Sequence, residues 1–586
     1  MTKREIIERI ESLPKGSIAI KKIKKPNGRI YEYYFLQWTE DGKQKSRTIK
    51  EDEIETIKLQ IEKRKGLEKK LSLGEYDLEP KGIVFNTNVS IGKELPSLVK
   101  EVVNYKQRDV FNAIKDYIYG DYSGKVLILY GLRRTGKTTL IHQVISKMRA
   151  DEINKTAFIQ ITRQDTFANF NKDLKLLQAN GYKYVFVDEV TFMADFIEGA
   201  ALLSDIYATS GMKIILSGTD SLGFWITKSN ELYDRSIFLH TTFIPYGEFS
   251  RVLNIDGIDN YIKYGGTMSV SGYHYNVFDN KESTDEYIDS SIAQNIQHSL
   301  KYYQYEGHFR HLYDLYQKGE LTGAINRVVE DMNHRFTIEV LERKFKSHDL
   351  GISANNLRKD KINPTTILDD IDINAFTLRL KERLSIKDKD ELSIAIDNVH
   401  ISQIKEYLKD LDLIDSIDIM DDDIDKPDLS RVVFTQPGLR YSQAKSFVLS
   451  LLEEPLFRQL SIEEQDRVIE RILNEIKGRM AEDIILLETK LAKKDKKVFK
   501  LQFSDGEFDM VISNPKSFES EIYEIKYSKD VTKEQVRHLI DEEKCNRTER
   551  RFGKIKKKIV LYRGKDINIE GIQYKNIEEY LNELSL

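Results

Sequence analysis

The decapeptide GLRRTGKTTL, residues 131–140, sets the architecture of the first large domain of this 586-residue chain. It follows the apolar run KVLILY and precedes IHQVISKM, so a buried strand enters the loop and a helix leaves it. The stretch fits G-x-x-x-x-G-K-[ST], whose glycines let backbone N–H groups surround phosphates at a helix N-terminus. The pattern predicts an ATP site with Lys137 on the phosphates and Thr138 on Mg²⁺. The predicted nucleotide-binding residues of the loop are Gly131, Arg134, Thr135, Gly136, Lys137, Thr138 and Thr139.

The partners of such a loop follow along the chain. YVFV, residues 184–187, runs into Asp188, which we expect to hold the metal through water, and Glu189, which we expect to activate the attacking water. The next apolar run ends in SGTD, where either Ser217 or Thr219 would contact the γ-phosphate; the sequence does not choose between them. Arg235 precedes the run SIFLH and is a candidate arginine finger toward a neighbouring subunit.

A second constellation lies near the C-terminus, in FDMVI and EIYEIKYS. Side chains on a strand repeat every two residues, so Glu524 and Lys526 share a face, and Asp509 on a paired strand could join them. Two carboxylates can hold Mg²⁺ against a scissile phosphate, and the lysine can hold the nucleophilic water or the developing charge. This resembles the P-D…(D/E)-x-K nuclease motif. Glu482 is the predicted helical carboxylate of that metal site, and Gln535 a predicted positioning residue.

Composition bounds the remaining possibilities. With 40% hydrophobic and 32% charged residues and a net charge of −4, the chain is typical of a soluble protein of several domains, and any basic surface must be local. The single cysteine, Cys545, excludes a disulfide framework or a cysteine-based metal site within the chain. No apolar run is long enough for a membrane helix, and the charged N-terminus is unlike a signal peptide. A cytoplasmic location without membrane contact is expected.

Residues 1–72 are locally basic, with 19 Lys and Arg against 12 Asp and Glu, a net of +7. The turns PNG and EDG divide alternating runs into a meander of about three strands, after which residues 51–71 have helical spacing. Tyr31, Tyr33 and Phe35 alternate against the lysines at 21, 22, 24 and 25. This pattern is open to two interpretations: a surface for DNA or RNA, or a small sheet with one solvated basic face.

Taken in order, several segments resemble a prokaryotic family of AAA+-type ATPases that carry a winged helix and a C-terminal restriction-endonuclease-like domain and occur beside mobile elements and defence genes. The resemblance implies an α/β multidomain protein with a P-loop NTPase (AAA+/ASCE) parallel sheet, a helical and winged-helix middle, and a PD-(D/E)xK nuclease-like α/β domain. It covers about residues 105–565 and leaves the small basic α+β N-terminal module outside. The segments are GLRRTGKTTL, YVFVDEV, IILSGTDS, DR…PYGEF, YIKYGGTM, ISQIKEYLKDLDLID…VVFTQPGLR and GRMAEDI…FDMVI…YEIKYS.

These patterns divide the chain into six expected parts. The wing turn, IDSIDIMDDDIDKPDLS, is strongly acidic and predicts packing on another domain rather than contact with phosphates. The expected parts are 1–72 (basic module), 73–106 (linker), 107–250 (ATPase), 251–385 (helical region), 386–445 (winged helix) and 446–586 (nuclease-like domain).

Three functions fit the sequence. The first is an ATPase coupled to a Mg²⁺-dependent nuclease that acts on DNA, assembled as a homo-oligomer with ATP at the subunit interface. The second is a nucleotide-driven signalling switch in which the C-terminal fold only binds or assembles. The third is a DNA translocase whose nuclease-like domain only grips DNA. ATP and Mg²⁺ are the cofactors expected in the first case.

Overall fold

The computed structural model describes residues 3–24, 30–40, 42–72, 84–193, 195–218, 235–268, 310–318, 320–346, 397–450, 452, 458 and 461–584. The chain forms two compact units, residues 1–85 and residues 86–586, and each is described by itself.

The N-terminal unit is a three-stranded antiparallel sheet with helices, which confirms the predicted meander. Leu36 and Ile49 of the sheet pack against Ile57 and Ile61 of the second helix, so one face of the sheet is covered. Because side chains alternate, Tyr33 lies on the other face of the sheet. The elements are α1 (Lys3–Glu11), β1 (Ser17–Lys24), β2 (Ile30–Glu40), β3 (Lys43–Ile49) and α2 (Ile54–Ser72).

A six-stranded sheet occupies the start of the second unit. Its strands are parallel except β4, and the order is β4-β6-β7-β8-β5-β9. The predicted runs are buried on both faces of the sheet, as expected for a parallel sheet covered by helices. The strands are β4 (Asn88–Ile91), β5 (Val126–Tyr130), β6 (Thr156–Gln160), β7 (Tyr184–Asp188), β8 (Lys213–Gly218) and β9 (Ser236–His240).

One predicted boundary needs correction here. Residues 73–106 were expected to be a linker, but within them β4 pairs with β6 and adds an antiparallel edge to this sheet. Four residues are too few to show a strand period, which is why the sequence did not reveal them. The helices of this region are α3 (Leu95–Leu98), α4 (Val110–Tyr119), α5 (Lys137–Lys147), α6 (Ala150–Ile153), α7 (Phe167–Ala179) and α8 (Phe196–Gly199), followed by a π-helix (Leu203–Ala208).

Helices connect this sheet to the C-terminal one. The long α15 carries a buried stripe from Val468 to Thr489, and it packs in one core with the short helices α9 and α10 that follow the first sheet. The helices that follow the first sheet therefore share an apolar core with the C-terminal sheet. The helices are α9 (Tyr246–Leu253), α10 (Ile258–Tyr264), α11 (Arg310–Gln317), α12 (Leu321–Lys346), α13 (Asn398–Asp410), α14 (Pro437–Ser450) and α15 (Ile462–Ala492).

The C-terminal sheet has eight strands in the order β11-β10-β12-β13-β14-β15-β17-β16, with both parallel and antiparallel neighbours. The strands are β10 (Ile414–Asp421), β11 (Leu429–Phe434), β12 (Lys497–Phe503), β13 (Gly506–Asn514), β14 (Glu519–Ile525), β15 (Lys554–Tyr562), β16 (Ile567–Ile569) and β17 (Ile572–Asn576). The remaining helices are α16 (Glu542–Phe552) and α17 (Ile577–Glu583).

The hairpin expected to be a wing forms the edge of this larger sheet. Its strand β10 pairs in parallel with β12, and its acidic turn is held by α16, where Arg547 forms an ion pair with Asp422 and Arg551 donates to the Asp421 carbonyl. The hairpin is therefore part of the C-terminal sheet, and its assignment to a winged helix that packs on another domain stays a prediction. The expected boundary at 445/446 is not visible in the fold, because α14 runs through it.

No helix among the described residues combines the length and the apolar character that a membrane span requires.

Candidate functional site

The loop of residues 131–138 has the backbone that its glycines predict. Gly131 has φ +143° and Gly136 has φ +87°, and a Cβ at Gly131 would lie 2.6 Å from Thr241 Oγ1. Lys137 is buried, and its Nζ donates to the carbonyls of Gly131 and Leu132, at 2.9 and 2.7 Å. Burial lowers the pKa of this ammonium to about 8, against the opposing effect of Glu189 and Asp188. The ammonium of Lys137 therefore lies against the backbone of the loop. Bound phosphates would give it a negatively charged partner there.

The two predicted metal-binding side chains of this site meet. Thr138 Oγ1 donates to Asp188 Oδ2 at 2.8 Å. Three further buried oxygens around the loop, Asp188 Oδ1, Glu189 Oε2 and Ser217 Oγ, have no hydrogen-bond partner within the described residues. A hydroxyl beside a carboxylate suits Mg²⁺, which favours oxygen ligands and keeps several waters. The residues present fit this cation.

Glu189 stands directly after the acidic strand in a left-handed backbone conformation, with φ +57°. Burial, and then the Asp188 carboxylate, raise the pKa of Glu189 above its usual value. A carboxylate with a raised pKa accepts a proton more readily, as a base that activates water must. The position and the electrostatics match the predicted role.

Of the two candidate sensors, Ser217 lies within the described residues and Thr219 lies outside them. Ser217 is fully buried on β8 and pairs with Leu129 of β5, next to the phosphate loop. The other predicted loop residues differ in exposure. Thr135 is buried and its hydroxyl donates to the Leu132 carbonyl, Arg134 is exposed with φ +63°, and Thr139 is half-buried on the helix.

Arg108 was not predicted from the sequence. It stabilises the phosphate loop by hydrogen bonds to the backbone. This buried guanidinium donates to the carbonyl of Thr135 at 2.7 Å and to that of Thr241 at 2.9 Å. It also forms a buried ion pair with Glu248 of α9, at 2.8 Å. No motif marks an arginine 23 residues before Gly131, so only the fold reveals it.

Arg235 lies at the start of β9, at the opposite end of the sheet from the loop that follows β5. The pairing of Val126 with Ser236 and of Tyr130 with His240 places about five residues, roughly 16 Å, between this end and the loop. Arg235 is exposed and forms an ion pair with Asp205, at 3.2 Å. It is too far away to act on the nucleotide of its own chain, so a role as arginine finger requires a second subunit.

The C-terminal residues Asp509, Glu524 and Lys526 converge as the sequence predicts. The ladder between β13 and β14 ends at Met510 and Tyr523, so the chain beyond Tyr523 leaves β13 while it continues beside β15. The Ile525 N–H freed by this separation donates to Asp509 Oδ2, at 2.8 Å. A β-bulge between β12 and β13 turns Asp509 toward the opening.

Lys526 Nζ joins the two carboxylates, at 3.0 Å from Asp509 Oδ2 and 2.6 Å from Glu524 Oε2. The two acids are buried, whereas the lysine side chain is 34% exposed, so the cluster opens to solvent at the lysine. Burial, and then Asp509, raise the pKa of Glu524 to about 8. Glu524 Oε1 is buried and has no hydrogen-bond partner in the part of the chain that is described.

Glu482 lies in the same cluster but is held by two cations. Its carboxylate accepts from Lys500 at 2.5 Å and from Arg479 at 2.6 Å. Burial alone would raise the pKa of Glu482, but these two cations outweigh it and lower the pKa to about 2. Lys500 is the second residue that sequence reasoning missed; a lysine inside the apolar strand VFKLQF was its only signal.

Gln535 does not point into the cluster. Its amide donates to Ser528 Oγ and the Asp530 carbonyl, at 2.9 and 2.7 Å, and its oxygen accepts from the Thr532 N–H. These bonds close the loop that follows Lys526, so Gln535 supports the site through the backbone.

The residues of this cluster could hold a divalent cation at one position, between the carboxylates of Asp509 and Glu524. Within the described ranges, no group of three or more His, Cys, Asp and Glu side chains is arranged to hold an ion by itself. Asp509 and Glu524 are therefore the two carboxylates available to a cation in this cluster. Glu524 Oε1 has no hydrogen-bond partner within the described residues. Hard cations of the Mg²⁺ type complete such two-carboxylate sites with waters and substrate phosphates.

One face of the N-terminal sheet carries aromatic side chains and few cations among the described residues. Strand pairing places Lys21 beside Tyr33, and Phe35 beside Ala19, on the face away from α2. Lys22 lies on the other face in an ion pair with Glu32, at 2.7 Å. Lys25 lies outside the described residues. The predicted alternation of aromatic and basic residues thus yields an aromatic face with one lysine.

Comparisons with known proteins agree with the loop. Residues 123–250 match the family described as AAA domain, and residues 2–59 match a domain of unknown function, DUF6788. No curated protein sequence matches the chain. The AAA match, together with the geometry of the loop and its acidic partners, supports an AAA+ P-loop ATPase domain in this part of the chain.

Solved structures give weaker likenesses. The Aeropyrum pernix Orc1 protein in complex with DNA is 12% identical over 63% of this chain and 98% of its own, with a TM-score of 0.22. The Saccharomyces cerevisiae Hsp104–ADP complex is 11% identical over 64% of this chain and 50% of its own, at 0.21. Caenorhabditis elegans PCH-2 is 13% identical over 29% of this chain and 47% of its own, at 0.18. These scores are too low to carry an argument, so the assignment of residues 123–250 to an AAA domain rests on the family match and the loop geometry.

Proposed function

We propose that the chain hydrolyses ATP at the loop of residues 131–138. The observation that carries this proposal is the contact of Thr138 with Asp188 beside three buried oxygens that lack partners. Lys137 would bind the phosphates, Glu189 would take a proton from the attacking water, and Ser217 would contact the γ-phosphate or that water. When bound at Thr138 and Asp188, Mg²⁺ would neutralise phosphate charge.

The C-terminal cluster supports a second step, the Mg²⁺-dependent cleavage of phosphodiester bonds in DNA. Asp509 and Glu524 would hold the cation, which would polarise a phosphate oxygen when bound. Lys526, the exposed member, would stabilise the developing charge or orient the water. DNA is the substrate expected for this residue set; RNA is the alternative, and contacts from the N-terminal unit would add to either.

A homo-oligomer with ATP at its interface completes the proposal, because Arg235 lies at the end of the sheet far from its own loop. In such an assembly, ATP binding would order neighbouring subunits, and hydrolysis would load or move the DNA.

The experiment is a plasmid nicking and ATPase assay of the full chain with Mg²⁺ or Mn²⁺. The wild type is expected to nick DNA and hydrolyse ATP. Glu189→Gln should lose hydrolysis, and Lys526→Ala should lose nicking by about 10²-fold or more while it still hydrolyses ATP. Lys529→Ala, an exposed lysine three residues further on, is the matched control. Equal absence of nicking in wild type and Lys526→Ala would remove the nuclease step.

One observation favours the alternative in which the C-terminal domain only binds or assembles. Glu482, the acid expected to assist a metal, is already neutralised by Lys500 and Arg479. A nucleotide-driven switch or a DNA translocase would use the C-terminal domain for binding or assembly and would not need it to cleave DNA. ATPase activity that DNA stimulates, without nicking, would favour the translocase over the switch.

A further inference from the structure

A buried lysine lies where a cation is expected in the C-terminal cluster. Lys500 has no solvent exposure, and its ammonium lies 2.5 Å from Glu482, 2.7 Å from Glu507 and 3.6 Å from Asp509. Three carboxylates around one ammonium supply the negative charge that a bound metal ion could otherwise balance, although they are not arranged as a set of metal ligands. The lysine therefore takes the place of an ion between Glu482 and Asp509.

The backbone fixes this lysine in place. Strand β12 lies inside the sheet, between β10 and β13, and the bulge opposite Lys500 sets two residues of β13, Asp509 and Met510, against it. An ammonium that left this position would lose three carboxylate partners, at 2.5, 2.7 and 3.6 Å. Moving a buried charge away from its partners is strongly unfavourable, so the lysine stays.

The other side of Asp509 remains available to a ligand. Glu524 is 2% exposed, and its Oε1 is buried without a hydrogen-bond partner within the described residues. Asp509 Oδ1 lies 3.6 Å from Lys500 Nζ, longer than a hydrogen bond. These two oxygens belong to the two carboxylates that Lys526 joins through their other oxygens.

We propose that Lys500 is a built-in cation that replaces one of two metal positions, so that this cluster takes a single divalent cation, between Asp509 and Glu524. The inference rests on the proposed function of the cluster and narrows it to a one-metal site. A second divalent cation between Glu482 and Asp509 would meet the ammonium of the fully buried Lys500, and like charges in a buried site repel strongly. Lys526, which bridges Asp509 and Glu524, is 34% exposed, so its long side chain can turn toward solvent when a cation binds between them.

The test counts Mn²⁺ bound to the full chain, without nucleotide, by electron paramagnetic resonance and titration calorimetry. The number of interest is the difference between each protein and its Asp509→Asn derivative, because subtraction cancels ions at the ATP loop and on the acidic surface. We expect a difference of one Mn²⁺ for the wild type and of two for Lys500→Gln. Lys500→Gln combined with Glu482→Gln, which removes one charge of each sign, should return the difference to one.

Each outcome has a separate meaning. A difference of two in the wild type, or of one in Lys500→Gln, would overturn the inference and leave the metal-dependent function standing. A difference of zero in the wild type would overturn both. If Lys500→Gln does not fold in the presence of a chelator, recovery of its cooperative thermal unfolding by Mn²⁺, with a midpoint that rises more steeply with Mn²⁺ than that of the wild type, supports the inference. Failure of Mn²⁺ to restore folding would count against it.

Discussion

Charged side chains of opposite sign lie close together in this protein, and the burial and partners of each side chain shift its pKa. Lys137 is buried among backbone carbonyls, and burial lowers its pKa to about 8. Lys526 is partly exposed and lies between two carboxylates, which together raise its pKa above the usual value although its partial burial lowers it. The first lysine therefore lacks an anion that a phosphate can supply, whereas the second already has its anions and can share them with a metal ion.

Replacing Lys137 with alanine should weaken ATP binding by about 2 kcal/mol or more, roughly 30-fold in Kd, because a charged hydrogen bond to the phosphates is lost. Calorimetric titration with ATP and Mg²⁺ measures this loss. Lys147→Ala removes an exposed lysine from the end of the same helix and serves as the control, with an unchanged Kd. Equal affinity in wild type and Lys137→Ala would show that the loop does not bind ATP in the manner proposed.

Arg235 is the residue whose role depends on a neighbour. Arg235→Ala should lower ATP turnover by about 10³-fold at protein concentrations where subunits associate, and should leave the Kd for ATP unchanged, because the guanidinium acts on the transition state. Asp205→Asn removes only its partner within the chain, and an exposed ion pair is worth about 1 kcal/mol or less, so turnover should persist. Turnover of Arg235→Ala equal to wild type at every concentration would remove the arginine-finger proposal.

At the scale of elements, the sequence predicted what periodicity and order can encode. The runs KVLILY, TAFIQI, YVFVDE and KIILSG became buried parallel strands, and the two-residue repeat of Glu524 and Lys526 placed both on one cluster with Asp509. The features that could not be predicted from the sequence depend on which strands pair with each other. The edge strand β4 is too short for a pattern, and Lys500 gains its partners only because a bulge turns β13 toward it. The hairpin 414–434 was expected as a separate wing, yet only strand pairing shows that it extends the C-terminal sheet.

The helix α15 carries a buried acid, Glu488, where it meets the start of α9. Its Oε1 accepts from the Tyr246 N–H at 2.8 Å, and burial raises the pKa of Glu488 to about 8. The unfolded pKa is about 4.3, so the folded state binds the proton more tightly. Its stabilising contribution is complete below about pH 4.3 and is lost as the pH rises toward 8.

Glu488→Gln, which cannot ionise, should therefore raise the melting temperature relative to wild type by a few °C at pH 8.5 and by much less at pH 5. Scanning calorimetry at the two pH values measures the difference between the proteins, in which the titration of all other groups cancels. A difference that is the same at both pH values would show that Glu488 is ionised in the folded protein.

At the scale of the whole second unit, α9 and α10 touch both candidate sites. Glu248 of α9 holds Arg108, which contacts the Thr135 carbonyl of the phosphate loop. On α10, Asp259 accepts from Tyr527, the residue that follows Lys526, and from Arg563 at the end of β15. A series of ion pairs and hydrogen bonds thus links the phosphate loop to the neighbourhood of the carboxylate–lysine cluster. Residues 248–259, about eleven residues of chain, form the middle of this series. A movement of α9 caused by nucleotide would reach Lys526 through this connection.

Asp259→Asn tests the connection, because the amide keeps the shape of the side chain but not the charge that holds Arg563 and the nearby Lys477, 3.5 Å away. We expect DNA nicking and its response to ATP to fall by about ten- to hundredfold, since small displacements of a catalytic group are costly, while ATP hydrolysis stays within about twofold of wild type. Asp256→Asn, in the loop just before α10 and bonded to Ser250, is the matched control and should nick normally. The measurement is nicking at saturating DNA with and without ATP, beside steady-state ATP hydrolysis. Parallel loss of both activities in Asp259→Asn would mean that the residue only stabilises the fold, and unchanged nicking would mean that the two sites work without this contact.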